Sequence, residues 1–151
     1  MSTKETKTSS EQEDSARSLL FLLAGEQYGL DLAWVEEVFD LADGLVPVLG
    51  APFWMGGVVN HHGQVLPVLD AARLLGLNLK ERAQQALLLT VSGQRMALAV
   101  EQVTGVEVVS GSSRGPRGTL RAWHRGRILT LLRPEAIEKA IESRLTQRRP
   151  A

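Results

Sequence analysis

The sequence predicts an all-β fold built as two similar small barrels, and three observations carry that expectation. The first is an internal repeat: LFLLAGEQYGLDLAWVEEV from Leu20 aligns with LLTVSGQRMALAVEQVTGV from Leu88, setting Gly25 on Gly93, Leu30 on Leu98 and Val35 on Val103. The second is a further pairing, at another offset, of NHHGQVLPVLD (Asn60–Asp70) with WHRGRILTLLR (Trp123–Arg133), which sets His61 on His124 and Gly63 on Gly126. The third is local: short apolar or alternating segments flank glycine-bearing turns, with little helical periodicity between them. Two β-type units used twice in one order imply two half-domains, here residues 18–80 and 83–133, packed together. A half of roughly 65 residues would bury too little of its surface to be stable alone, which gives their fusion a physical reason.

The elements follow in order. Ser18–Ala24 is an apolar run, Gly25-Glu26-Gln27 a hairpin signal, and Tyr28–Leu32 alternates as a half-buried strand does. The spacing of Leu32, Val35 and Val38 favours a helical turn within Ala33–Phe39, and Pro47 and Pro52 exclude a regular helix between them. Met55–Asn60 and Gln64–Leu69 flank a second hairpin at His61-His62-Gly63. Pro67 cannot donate a ladder hydrogen bond and is expected at an edge or a bulge. Asp70 is a good N-cap for a short helix Ala71–Leu75, with Gly76 as its stop, and Leu79–Arg82 reads as the linker between halves. The second half opens with Ala86–Val91, turns at Ser92-Gly93-Gln94, and continues through Arg95–Val100 and Val106–Val109. Ser110–Gly118 reads as a loop from its Gly, Ser, Pro and Arg content. Thr119–Trp123 and Arg127–Leu132 flank a last hairpin at His124-Arg125-Gly126. A C-terminal helix over 134–148 starts at Pro134 and Glu135, aligns Ile137, Ala140, Ile141 and Leu145 on one face, and ends on Arg144, Arg148 and Arg149. Trp34, Phe39, Phe53 and Trp54 are read as core by default, and Trp54, soon after Pro52, is expected to be the most exposed of them.

Composition narrows the function. Seventeen basic and seventeen acidic residues balance, whereas a generic polyanion binder carries a basic excess. The absence of cysteine removes disulfide and thiolate chemistry and fits a reducing compartment. The polar segment 1–17 has no apolar signal core and reads as a disordered tail, and no apolar run approaches the length of a membrane span. A cytoplasmic, soluble protein without membrane insertion is expected.

Candidate chemistry is thin. Adjacent His61 and His62 are expected to point in different directions, so no metal site is expected. Ser110, Ser112 and Ser113 lack the strand–turn–helix setting of a nucleophile elbow, and SGSSRG lacks the Lys-Ser/Thr ending of a phosphate loop. No catalytic residue and no cofactor are expected. The most charged stretch, Arg114, Arg117, Arg121, Arg125, Arg127 and Arg133, contains no carboxylate between Val108 and Pro134. It leaves open a nucleic-acid-binding barrel, an arginine face for an acidic protein, or a solvated strand edge.

At GEQYGLDLAWVEEV, then VPV and a Pro-bounded loop, then GGVVNHHGQVLPVLDAARLLGL, the chain resembles the CheW-like adaptor domain of bacterial chemosensory systems. There the corresponding run is a Gly-Val-x-Asn-x-Arg-Gly turn, an apolar strand containing Pro, then Asp. ALLLTVSGQRMALAVEQVTGVEVV is similar to the second subdomain, and the resemblance covers roughly residues 18–145. It implies two SH3-like five-stranded β-barrel subdomains sharing a hydrophobic core, with short helices and a C-terminal helix. It implies a non-catalytic scaffold that couples a methyl-accepting chemotaxis receptor to the regulatory domain of a CheA-type histidine kinase. By position, Val35, Glu37 and Val38 would line the receptor-facing region beside the turn Asn60, His61, His62 and Gly63. One departure concerns charge: the family turn carries Arg where this chain has His62, which with an unperturbed pKa of about 6.5 is mostly neutral at neutral pH. Phe39 also replaces a commonly polar residue, and Arg73 follows Asp70 by three positions rather than two. A partner-restricted relative that binds receptor or kinase alone is the rival reading.

Overall fold

The structure, a computed structural model, describes residues 15–41, 44–78 and 82–147. Its strands are β1 (Ser15–Leu23), β2 (Glu26–Asp31), β3 (Glu37–Asp40), β4 (Leu45–Val46), β5 (Met55–His61), β6 (Gln64–Asp70), β7 (Gln85–Val91), β8 (Gln94–Val100), β9 (Gln102–Arg114), β10 (Leu120–His124) and β11 (Arg127–Leu132). Helix α1 (Ala71–Leu74) follows β6, and α2 (Pro134–Gln147) follows β11; single 3-10 turns lie at Leu32–Trp34 and Pro116–Gly118.

The strands form a closed barrel, β1-β2-β11-β10-β9, and an open six-stranded sheet, β3-β7-β8-β6-β5-β4. The repeat is therefore present in space, but the sheets do not follow the sequence halves. The closed barrel takes β1 and β2 from the front of the chain and β9–β11 from the back, while the open sheet takes everything between. Both units join their two parts by a parallel pairing at matching repeat positions: Leu131 beside Gly29 in the barrel, Val68 beside Ala97 in the open sheet. Where two five-stranded barrels are implied by resemblance, the second has six strands and stays open.

Side-chain alternation explains why the pieces interlock. On β1, Leu19, Phe21 and Leu23 point into the main core, whereas Leu20 points into the closed barrel with Val109, Ala122, Leu129 and Leu131. On β7 and β8, Leu87, Leu89, Met96, Leu98 and Val100 join that same main core, whereas Ala86, Leu88, Ala97 and Ala99 fill the open sheet's interior with Leu41, Val59, Leu66 and Val68. Strands buried on both faces are written as continuous apolar runs rather than alternating ones. Ser18–Ala24 and Ala86–Val91 read that way for this reason. Trp54 and Ile137 of α2 complete the main core, so Trp54, only 6 % exposed, is the reverse of the sequence expectation. Phe53 beside it is the exposed member of the pair.

Four hairpins close on two-residue turns with both residues at positive φ: Ala24-Gly25, His62-Gly63, Ser92-Gly93 and Arg125-Gly126. This is the type I′ geometry that matches strand twist. The turns are shorter than the sequence suggests, because Glu26, His61, Gln94 and His124 are already in strands. Asp70 caps α1, its Oδ1 accepting from the Arg73 amide at 3.1 Å, and Gly76 with φ 74° stops it, as expected. The Leu77 amide donates to the Ala72 carbonyl and that of Gly76 to Arg73, completing a Schellman stop. Arg144 of α2 then donates to the Leu74 and Arg73 carbonyls at 3.1 and 3.2 Å, tying the C-terminal helix to the end of α1.

Other expectations are corrected. β9 runs to Arg114, so most of Ser110–Gly118 is strand: it pairs with β1 and β10, and pairing overrides its loop-like composition. Pro67 lies in an interior strand, opposite Val58, one residue before parallel pairing with β8 begins at Val68. Leu145 is exposed, because α2 extends past the core that holds Ile137 and Ile141. β1 begins at Ser15, within the stretch read as tail; residues 1–14, most of the linker and Arg148 and Arg149 lie outside the described residues.

Two stability predictions follow from backbone geometry. Gly57 follows a bulge in β5 with φ 140°, and a Cβ there would stand 2.2 Å from the Val46 carbonyl oxygen of β4. Gly57→Ala is expected to lower unfolding free energy by about 2–3 kcal/mol, read from urea midpoints. Ala24 bears the left-handed conformation (φ 53°) without a side chain suited to it. Ala24→Asn is expected to gain about 1 kcal/mol at unchanged m-value, and a lower midpoint would contradict the turn assignment.

Candidate functional site

The open sheet has a seam. Among the described residues β3 pairs with β7 and β5 with β4 and β6, and no backbone ladder joins β3 to β5. At the repeat-equivalent place in the closed barrel, the long β9 reaches β10 directly. Side chains bridge the gap in the open sheet. His61 Nε2 stands 3.0 Å from Glu37 Oε2, and His62 Nε2 stands 3.6 Å from the same oxygen. The His61 contact is at ion-pair distance but off the direction of a well-formed hydrogen bond. Phe39, two residues along β3, stacks on the His61 ring with centroids 4.1 Å apart and planes 20° from parallel.

The turn explains why two adjacent histidines converge, against the sequence expectation. His61 ends β5, but His62 takes the left-handed conformation (φ 51°), which breaks strand alternation and brings the rings to a centroid separation of 4.1 Å. Asn60 Oδ1 accepts from the Gly63 amide at 3.0 Å and fixes the turn from inside. The Asn60-x-x-Gly63 spacing is thus a turn device. Glu37, His61, His62, Asn60 and Gly63 are brought to one place, whereas Val35 and Val38 pack, half-buried, against the main core beneath it.

A second network, invisible to motif reading, lies alongside. Arg95 of β8 donates to Glu36 Oε2 from Nη2 at 2.9 Å and from Nε at 3.2 Å, and reaches Gln64 of β6 through Nη1. Thr90 of β7 donates to Glu36 Oε1 at 3.3 Å. Together the two clusters run from β3 across β7, β8 and β6 to β5. A similar cluster lies in the closed barrel, where Glu107, at the repeat position of Phe39, holds His124 at 3.1 Å and Arg125 at 2.9 Å. Aligning His61 with His124 was the signal that could have found it.

The remaining sequence candidates are dispersed. The arginine stretch is spread over β9, a 3-10 turn, β10 and β11; Arg125 pairs with Glu107, and Arg133 with Glu135 at 3.6 Å. Ser110, Ser112 and Ser113 lie in β9, the first two on an open depression of about 310 Å³. A depression of about 940 Å³ is lined by Asp40, Arg82, Gln84 and Gln85, with no nucleophile beside a base. Among the described residues no helix is long and apolar enough to cross a membrane.

The model of the CheW-like domain matches residues 17–141, well over half of the chain. The chain belongs to the CheW-like family. Members are non-catalytic scaffolds of chemotaxis signalling. The CheW-like fold is matched by the crystal structure of scaffolding protein TtCheW from Thermoanaerobacter tengcongensis, with a TM-score of 0.69 at 22% identity over 78% of this chain and 88% of that one. None of the curated proteins matches the chain.

Electrostatics give the cluster a sign. Glu37 is held below the ordinary carboxylate range, chiefly by the His61 side chain and further by the charge of both histidines, against an opposing desolvation. A lowered carboxyl pKa favours the ionised form in the folded state. The contribution is present above the ordinary carboxylate pKa and is lost as pH falls through the lowered one. A carbon-13 titration of the Glu37 carboxyl is expected to give a midpoint below that of a free glutamate. His61→Ala should raise it more than His62→Ala does, and the opposite ranking would reassign the cause.

Proposed function

We propose that the protein is a cytoplasmic docking scaffold that couples a methyl-accepting chemotaxis receptor to the regulatory domain of a CheA-type histidine kinase. Membership of the CheW-like family supports this, and one observation about the molecule carries it. The fused body exposes apolar side chains on each of its two sheet units. Val106, Val108, Trp123 and Ile128 stand outward on the closed barrel, with Trp123 and Ile128 cross-strand neighbours. Val46 of β4 is exposed on the open sheet, and Trp34, Val48 and Phe53 are exposed from the segments between strands. Large apolar residues left in water on two units of one rigid body suit two partners. Holding two partners on one body raises their effective concentration for each other, and receptor state then biases the kinase. In this reading Glu37, Asn60, His61, His62 and Gly63 form the polar part of the receptor-side surface, and Val35 and Val38 shape it from below.

The test is calorimetric titration of the purified protein with the kinase regulatory domain and, separately, with the receptor's cytoplasmic tip. Binding to both is expected. Binding to one alone would favour the partner-restricted reading, and binding to neither would end the proposal. His62→Arg supplies the permanently charged, forked donor of the family turn opposite Glu37, and is expected to tighten one of the two complexes severalfold. Equal affinity of both forms across pH 6–8 would remove this position from the interface.

A further inference from the structure

We propose that Glu37, His61 and His62 form a binding site for a divalent transition-metal ion of the zinc class, set across the unpaired seam between β3 and β5. The donor set is two imidazole nitrogens and one carboxylate oxygen, which suits Zn²⁺ and its neighbours rather than Mg²⁺ or Ca²⁺. The three ligand atoms lie within 4.8 Å of one another. An ion about 2.0–2.2 Å from each ligand in tetrahedral geometry needs ligand atoms about 3.3–3.5 Å apart. The observed 3.0 and 3.6 Å from Glu37 Oε2 to the two Nε2 atoms bracket that requirement. The separation of the two histidine nitrogens lies within 4.8 Å, and rotation of the exposed His62 side chain is the adjustment that would close the set.

The surroundings are arranged for this. His61 is held by stacking on Phe39, so one ligand ring is oriented from the core side. His62 is 77% exposed at its side chain and leaves an ion's remaining position open to solvent or to a further ligand. The β5–β6 turn, pinned by Asn60, presents both rings to one carboxylate. Competition within the chain is small: it contains three histidines and no cysteine. The closed barrel supplies an internal comparison, since the counterpart cluster Glu107, His124 and Arg125 has a guanidinium where the proposed site has His62. A guanidinium stays protonated and donates no lone pair, so the counterpart cannot complete the same set. His124 and Arg125 align with His61 and His62, but Glu107 aligns with Phe39, so the counterpart differs both in its second turn residue and in the strand position of its carboxylate. The inference is independent of whether receptor or kinase docks here.

The experiment uses untagged, full-length protein, chelator-stripped and titrated with Zn²⁺ by calorimetry and with Co²⁺ by visible absorption in a non-coordinating buffer. Wild type is expected to take up one equivalent in the micromolar range or tighter, to develop tetrahedral Co²⁺ bands, and to melt higher with Zn²⁺ present. His62→Arg, which keeps the Glu37 contact, is expected to lose more than about tenfold in affinity along with the Co²⁺ bands and the thermal shift. Glu37→Gln should weaken binding in the same direction, and His124→Ala should leave it unchanged. Absence of heat and of spectral change in wild type at millimolar metal would overturn the proposal. So would affinity that survives His62→Arg but disappears in His124→Ala.

Discussion

Three strands are buried on both faces, and the rest of the architecture accommodates them. β1, β7 and β8 send alternate side chains into a sheet interior and into the core between the sheets, leaving no face for solvent. Such strands cannot lie at the surface of an isolated half, and each needs a covering layer on either side. The two units accordingly share one apolar mass, capped by Trp54 and Ile137, instead of meeting across a polar interface. Rigidity of this kind lets the outer surfaces and hairpin ends carry exposed apolar and charged residues without disturbing the interior.

The seam between β3 and β5 marks the chief difference between the two units. In the closed barrel a thirteen-residue β9 pairs along both neighbours, whereas its counterpart β3 has four residues and reaches only β7. Side chains substitute for the missing ladder, and their charge and aromatic contacts concentrate at the hairpin that carries the family turn. Local polarity here has a structural origin before it has a binding one. The same spot closes the sheet and is the one proposed for recognition.

Much of this was legible in the residues. The repeat, the hairpin turns, the Asp70 cap and the Gly76 stop depend on local rules, and each appears where the sequence places it. The pairing of halves was not legible, because the same apolar alternation fits a unit closed on itself or one completed by the other half. Ser110–Arg114 misled for a related reason: its composition suits a loop, but tertiary pairing with β1 and β10 sets its conformation. Val35 and Val38 were recognised as belonging to the site region, yet burial decides that they support it from beneath. The convergence of His61 and His62 depended on a left-handed φ that strand alternation does not anticipate.

The interlaced topology also bears on how the molecule is made. β1 leaves the ribosome well before its second neighbour, β9, which lies some eighty residues later. During synthesis Leu20 lacks its barrel partners Val109, Ala122, Leu129 and Leu131 until the back of the chain arrives. The open sheet, by contrast, is complete once β8 has emerged. The nascent protein thus carries a greasy, half-paired ribbon until β9 emerges, a natural client for holding chaperones.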